Sequence, residues 1–379
     1  MERMSENDFD IHGLAGVRLV GASAADARAV ARQLGPLARP LARDPDIVLR
    51  FVDRLELRGP LRYIGLHDAG FTDDAFLVLR SKHKAQARVQ IPFERVGQPL
   101  EIVCERGLPA VPLLVPILNL RILERGHLPL HAAAFEQHGT GVLCTGWSKG
   151  GKTEVLLSFM EQGAAYVGDE WVYLSGDGEQ MFGIPEPIRV WSWHLESLPE
   201  LRAELSRGTR ARLAALGAAI AGARALTALG VAPARRVAAF LERQHFADLS
   251  PHALFGAERC ALSARPDALV FVGSHERSDV VLERIDPEEV ARRMLASLQE
   301  ELVPFRSFYL KFRFAFPERR NEWFERVEEV QREALFKCFQ GRPCWSLQHP
   351  YPVELGKLRR ALEPLCGGSA PRARREAQQ

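Results

Sequence analysis

Residues 141–163 read GVLCTGWSKGGKTEVLLSFMEQG, and this stretch decides the fold. Its centre, Gly146-Trp147-Ser148-Lys149-Gly150-Gly151-Lys152-Thr153, is a complete G-x-x-x-x-G-K-[ST] phosphate-binding pattern. Ahead of it, Gly141 to Thr145 is short, apolar and bounded by glycine, which predicts a buried strand. Behind it, Val155, Leu156, Phe159 and Met160 share one helical face, and Gly163 is the expected stop. Strand, loop and helix therefore come in the order that phosphate binding requires. Gly146, Gly150 and Gly151 open backbone conformations that other residues resist, so successive N–H groups can converge on one anion. A helix beginning at Lys152 adds the positive end of its dipole. Lys152 can reach the β- and γ-phosphates of a nucleotide, and the Thr153 hydroxyl can ligate Mg²⁺. The expected nucleotide-contacting set is Gly146, Ser148, Lys149, Gly150, Gly151, Lys152 and Thr153.

The next element is acidic. Ala164 to Val167 reads as a strand, then Gly168-Asp169-Glu170 follows, then Trp171 to Leu174 reads as another strand. Adjacent acids at a strand end, one helix past the loop lysine, can hold Mg²⁺ and accept a proton. A P-loop GTPase carries its metal-binding Asp much further along. The competing reading is an exposed acidic turn.

Together these residues resemble the bacterial HPr serine kinase/phosphorylases, which carry a His-bearing strand, a G-x-S-x-x-G-K-S-E loop, a helix closed by glycine and a V-A-D-D strand end. Here the counterparts are Leu128-Pro129-Leu130-His131, Gly146-x-Ser148-x-x-Gly151-Lys152-Thr153-Glu154, Gly163 and Val167-Gly168-Asp169-Glu170, at closely similar spacing. The match is specific between residues 128 and 175 and extends weakly to Gly183-Ile184-Pro185. The resemblance implies that Lys152 binds phosphate, Thr153 and Glu170 hold Mg²⁺, Asp169 is the general base and His131 lies near the transferred phosphate. It implies an α/β fold with a kinase core of the HPr kinase/phosphoenolpyruvate carboxykinase type, a mixed sheet with flanking helices. It also implies an ATP- and Mg²⁺-dependent kinase acting on a hydroxyl, Ser above all, of a small protein or peptide. The relatives' hexamer makes a homo-oligomer an open alternative here.

The departures are Glu170 and Gly168, where the family has Asp and Ala, and the family's E-[IV]-R-G-x-G-I stretch, for which Glu196 is a poor counterpart. Reverse phosphorolysis therefore has no support. The extra metal and carboxylate motifs of the carboxykinases are missing as well. Two other readings stay open: a kinase of a small metabolite, and a non-catalytic ATP-binding regulatory module.

The bounds are those of a soluble, two-domain protein. The chain has 379 residues, 46% hydrophobic and 26% charged. A net charge of +2 with arginine spread along the chain argues against a nucleic-acid partner. No uncharged apolar run is long enough to span a bilayer, and the acidic start MERMSENDFDIHG is no signal peptide, so no membrane partner is expected. Six cysteines without C-x-x-C or zinc spacing read as reduced cytoplasmic thiols.

Outside the motif the domain expectations are a small N-terminal α/β domain over 1–125, a kinase domain over 126–365 and a disordered tail over 366–379. Val17 to Leu19, Asp46 to Phe51, Arg62 to Leu66, Asp74 to Leu79 and Leu100 to Cys104 read as strands, and residues from Ala24 as a helix ended by prolines. Pro112 to Leu123 reads as a buried helix with an early kink at Pro116. His131 is expected to begin the strand HAAAFE, as a structural or a catalytic residue. Trp191 and Trp193 read as alternate positions of one strand. Arg189 stands where it can neutralise phosphate, or is an ordinary surface arginine.

Residues 195–246, rich in Ala, Leu and Arg, read as helices broken near Gly217 to Gly222 and at Gly230 to Pro233. This insertion is a lid or substrate platform, or simply a solvated helical face. Beyond it, Asp267 to Val272 reads as a buried strand with Val280 to Ile285 as its antiparallel partner. Asp286-Pro287 starts a helix to about Leu302. A helix over Asn321 to Phe339, an edge strand over Pro343 to Leu347 and a last helix over Pro352 to Leu365 complete the chain.

Overall fold

Residues 7–105 build one sheet. Its strands are β1 (Asn7–Ile11), β2 (Ala15–Val20), β3 (Ile47–Val52), β4 (Arg62–Ile64), β5 (Ala69–Phe71), β6 (Phe76–Arg80), β7 (Gln86–Gln90) and β8 (Leu100–Glu105), in the order β1-β2-β3-β8-β7-β6-β5-β4. The β2–β3 and β3–β8 pairs are parallel and the others antiparallel. This computed structural model describes residues 7–80, 86–197 and 205–367. The expected tail beyond residue 367 and part of the insertion, 198–204, lie outside the described residues.

Helix α1 (Ala24–Leu34) starts where Ser23 and Asp26 form a reciprocal capping box. Helix α2 (Leu114–Glu124) is the expected buried one. Pro116 falls in its first turn, where amides lack intrahelical partners anyway, so the proline costs no hydrogen bond. Strands β1, β5 and β7 escape the sequence reading. NDFDI and QARVQ carry too many polar residues, and AGF is too short.

From residue 128 the chain runs β9 (Leu128–His131), β10 (Ala133–Gln137), β11 (Thr140–Thr145), α3 (Lys152–Met160), β12 (Ala165–Gly168), β13 (Trp171–Leu174), β14 (Met181–Gly183), β15 (Ile188–Trp191) and α4 (Ser192–Ser197). Then come α5 (Arg207–Ala228), α6 (Ala232–Glu242), β16 (Phe246–Leu249), α7 (Pro251–Phe255), β17 (Ser263–Ala264), β18 (Ala268–His275), β19 (Val281–Arg284) and α8 (Pro287–Glu301). Last are α9 (Val303–Ala315), α10 (Glu322–Glu325), α11 (Val327–Phe339), β20 (Cys344–Pro350) and α12 (Leu355–Cys366). Three sheets result: β12-β10-β11-β18-β20-β19, β17-β14-β13-β9 and the pair β15-β16. The molecule is thus mixed α/β.

Several local expectations are corrected. His131 ends β9 instead of opening HAAAFE, because the chain changes sheets at Ala132. Strand β20 is internal, not an edge. It is parallel to β18 and separates β18 from β19, the strand expected to pair with it. Helix α5 runs unbroken through Gly217 and Gly222 and stops only at the predicted Gly230 break. Trp191 closes β15, whereas Trp193 already lies in α4. The helix expected from Asn321 is divided at Arg326, and α9 was not anticipated. Cys366 is buried as the last residue of α12, inside the expected tail. All six cysteines are unpaired thiols.

One apolar core joins the first sheet to the C-terminal helices. Phe76, Phe93, Phe305, Phe312 and Phe324 pack in one cluster with Ile47, Leu49 and Ile102. A second core packs α3 on α12 through Val155, Leu156 and Phe159 against Leu358 and Leu362. By length and composition α5 is, among the described residues, a helix able to cross a membrane, but Arg212 and Arg224 bracket its uncharged stretch and α6 packs along it.

Candidate functional site

The site forms where two antiparallel strand pairs change sheets at the same level. In the six-stranded sheet β10 pairs with β12, Ala134 opposite Gly168. In the four-stranded sheet β9 pairs with β13, His131 opposite Trp171. The links, Ala132 and Asp169-Glu170, meet at the crossing, where the Ala132 amide donates to the Glu170 carbonyl at 3.2 Å. This topology brings His131 beside the acidic pair. Glu170 sits at φ +69°, a left-handed conformation rare for a non-glycine residue and typical of functional turns. Gly168 has its own reason: a Cβ there would stand 2.9 Å from the Gly183 Cα.

The loop between β11 and α3 has the predicted character. Gly146, Lys149 and Gly151 take φ of +146°, +62° and +104°. Such changes of handedness turn backbone amides toward one concavity. The first amides of α3, at Lys152, Thr153 and Glu154, have no partner within the helix and add to it. The cradle is tight. A Cβ on Gly146 would lie 2.3 Å from the Val272 carbonyl oxygen, and one on Gly151 2.0 Å from His349 Nε2. The Lys152 ammonium, 6% exposed, donates to the Gly146 and Trp147 carbonyls at 3.2 and 2.9 Å. Burial pulls its pKa down, against Asp169, Glu170 and Glu301. Ser148 is half-buried; Lys149 and Trp147 are exposed.

Thr153 Oγ1 donates to the Asp169 carboxylate, 3.2 and 3.1 Å from its two oxygens. Asp169 is 4% exposed. Burial, then the neighbouring Glu170 charge, pushes its carboxyl well above the usual carboxylate range; Thr153, Lys152 and His131 oppose this. Glu170 faces the other way. Its Oε2 lies 3.2 Å from His131 Nε2, and this bond holds the Glu170 carboxyl below its ordinary value against burial. Glu301, the last residue of α8, brings Oε1 to 2.6 Å from His131 Nδ1, an ion pair off the line of a straight hydrogen bond. Burial alone would lower the His131 pKa, but the two carboxylates outweigh it and hold it at about 9. His131 is therefore an imidazolium clamped between Glu170 and Glu301.

Lys152, Thr153, Asp169, Glu170 and His131 thus converge, although they come from three separate stretches of chain. Arg189 does not join them directly. It pairs with Asp248 at 3.0 Å, lies over the Phe246 ring and reaches Glu170 only by its field. Asp169 is the acid facing the Thr153 hydroxyl, whereas Glu170, the expected metal ligand, faces His131. A hydroxyl and a carboxylate are hard oxygen donors that suit Mg²⁺. Among the described residues no group of three or more His, Cys, Asp or Glu could hold a metal by itself. Mg²⁺ sites commonly use one or two carboxylates and are completed by phosphate and water.

Three site residues were not singled out from sequence. Glu301 carried one signal, since an acid in the last turn of a helix opposes the dipole and needs another reason to be there. His349, fully buried on β20, sets Nε2 3.0 Å from the Gly150 carbonyl and Nδ1 2.7 Å from the Pro350 carbonyl. His194 of α4 accepts from the Trp191 amide at Nδ1 and sets Nε2 3.4 Å from the Glu154 carboxylate, a buried contact at the loop helix. Nothing in the sequence near His349 or His194 marks either contact. No protein-family model matches the chain, and no curated protein matches it significantly.

Proposed function

We propose that this protein is an ATP-dependent kinase with a core of the HPr kinase type, transferring the γ-phosphate of Mg-ATP to a hydroxyl, Ser above all, of a small protein or peptide. The observation that carries the reading is the Thr153 hydroxyl directed at the buried Asp169 carboxylate, beside a glycine cradle that holds Lys152. Mg²⁺, when bound, would neutralise phosphate charge. Thr153 and Asp169 are the side chains placed to hold it. Lys152 and the α3 amides bind the β- and γ-phosphate oxygens. Asp169 is also placed to act as the general base: it takes the acceptor's proton as the hydroxyl oxygen bonds phosphorus and the bond to the ADP oxygen breaks. Clamped His131 places fixed positive charge beside the transferred group.

The test is label transfer from γ-labelled ATP with extract of the source cell. Lys152→Ala abolishes transfer in this reading. Asp169→Asn keeps metal-free ATP binding to the loop and lowers turnover by about 10²-fold or more. A labelled peptide or protein that vanishes with Lys152→Ala identifies the acceptor. Label confined to small molecules moves the activity to a metabolite kinase. Nucleotide binding without transfer to any acceptor makes the chain a regulatory ATP-binding module.

A further inference from the structure

Helices α5 and α6 form an antiparallel hairpin whose buried residues, Leu213, Ile220, Ala223, Ala234 and Ala238, are few. Leu216 and Leu241 are half-buried, but most other positions are exposed, including large apolar side chains: Leu229 is 79% exposed, Phe240 63%, Val237 50% and Leu226 49%. Apolar surface on this scale marks an interaction face. The hairpin is also strongly basic. Residues 207–243 hold seven arginines and one acid, Glu242, a formal +6 in a chain whose total is +2.

Three links place the base of the hairpin at the edge of the candidate site. The ribbon β15–β16 flanks it, and Arg189 on that ribbon sits close enough for its charge to act on Glu170. The excursion opens with α4, whose His194 is paired to Glu154 of the loop helix. The start of α5 is anchored by Leu213 in the core that holds α3.

The occupant follows from charge and pattern. Two copies of a +6 hairpin repel, which disfavours self-association there. A bilayer asks for an uninterrupted apolar face with arginines at its border. On α6, Phe240 instead lies between Arg236 and Arg243, one turn away on either side. Interleaved arginine and apolar positions match a chain in which acidic and apolar side chains alternate. We propose that the α5–α6 hairpin is a docking arm for an acidic segment, studded with apolar side chains, of the phospho-acceptor protein. This rests on the kinase reading of the neighbouring site.

The experiment uses the full chain and fluorescence anisotropy with three labelled probes: a peptide of alternating Glu and Leu, its Lys/Leu twin and a Glu/Gly twin. Phosphatidylserine vesicles are the fourth probe, and Mg-ATP affinity is titrated separately. The Glu/Leu peptide is expected to bind at least about ten-fold more tightly than either twin, and more weakly as salt rises. Arg235→Glu with Arg236→Glu, and independently Phe240→Ser, should each weaken it about ten-fold. Both changes are exposed, and circular dichroism and an unchanged Mg-ATP affinity exclude misfolding. Equal binding of the three peptides, no binding, binding to vesicles alone, or sedimentation showing that Phe240→Ser dissolves an oligomer would each overturn the docking arm. Docking without Mg-ATP binding would sink the kinase reading and leave an acidic-segment arm whose partner is no phospho-acceptor; Mg-ATP binding without docking would sink the arm and leave the kinase reading standing.

Discussion

His131 between Glu170 and Glu301 sets a pH window. Its folded pKa, about 9, lies above the ordinary histidine value of 6.5. Stability from this ion-pair cluster is therefore fully present below 6.5 and is lost as pH rises through 9. Glu170 and Glu301, held below their ordinary values, contribute in the opposite sense, losing their share as pH falls through the carboxylate range. Urea midpoints measured from neutral pH upward should fall toward pH 9 in the native chain, and Glu301→Gln should flatten that fall. An unchanged profile in the variant would show that Glu301 does not hold the imidazolium. At this scale Lys152, Thr153, Asp169 and Glu170 are legible from sequence, because a short motif fixes their spacing. Glu301 and His349 are not, since their partners lie far along the chain.

At the scale of elements, the phosphate loop is supported from beneath. Strand β20, wedged between β18 and β19, carries His349 to the Gly150 carbonyl. Only a glycine fits at 151, given its positive φ and the 2.0 Å that a Cβ would leave to His349 Nε2. Gly151→Ala should cost about 2 kcal/mol in chemical denaturation and should also weaken nucleotide binding. If His349→Ala restores stability to Gly151→Ala, the collision is the cause; if it does not, backbone strain dominates. The placement of β20 was unreadable because sequence shows that a segment is a strand but not which neighbours it takes. The unbroken α5 shows the reverse error: alanine-rich flanks carry a helix through two glycines, whose cost of about 1 kcal/mol each is too small to end it.

Over the whole molecule, the N-terminal sheet is not covered by its own residues alone. Phe93 stacks on Phe312 at 5.7 Å between centroids, and Phe76 meets Phe312 edge-on at 5.8 Å. Asn321 ties the halves with polar bonds. Its side chain donates to the Phe93 and Val96 carbonyls at 3.0 and 2.7 Å and accepts from the Phe324 amide at 2.9 Å. Phe312→Ala should cost about 4 kcal/mol and Asn321→Ala about 2 kcal/mol. Because the core is shared, either change should shift unfolding of both halves together, by fluorescence and far-ultraviolet dichroism alike. Two separated transitions in the native chain would show that the halves fold independently.

Sequence alone determined the strand–loop–helix unit at 141–160, the acidic strand end that follows it and the mixed α/β class. These rest on short-range information: glycine conformations, apolar periodicity and residues a few positions apart. Tertiary structure alone decided that two strand pairs change sheets at one level, so that His131 meets Glu170, and that α8 ends with Glu301 against His131. It also decided that β20 lies beneath the loop and that α9 closes the first sheet. Each of these joins residues distant in the chain through sheet order and packing, which depend on the neighbour an apolar face finds and not on the face itself.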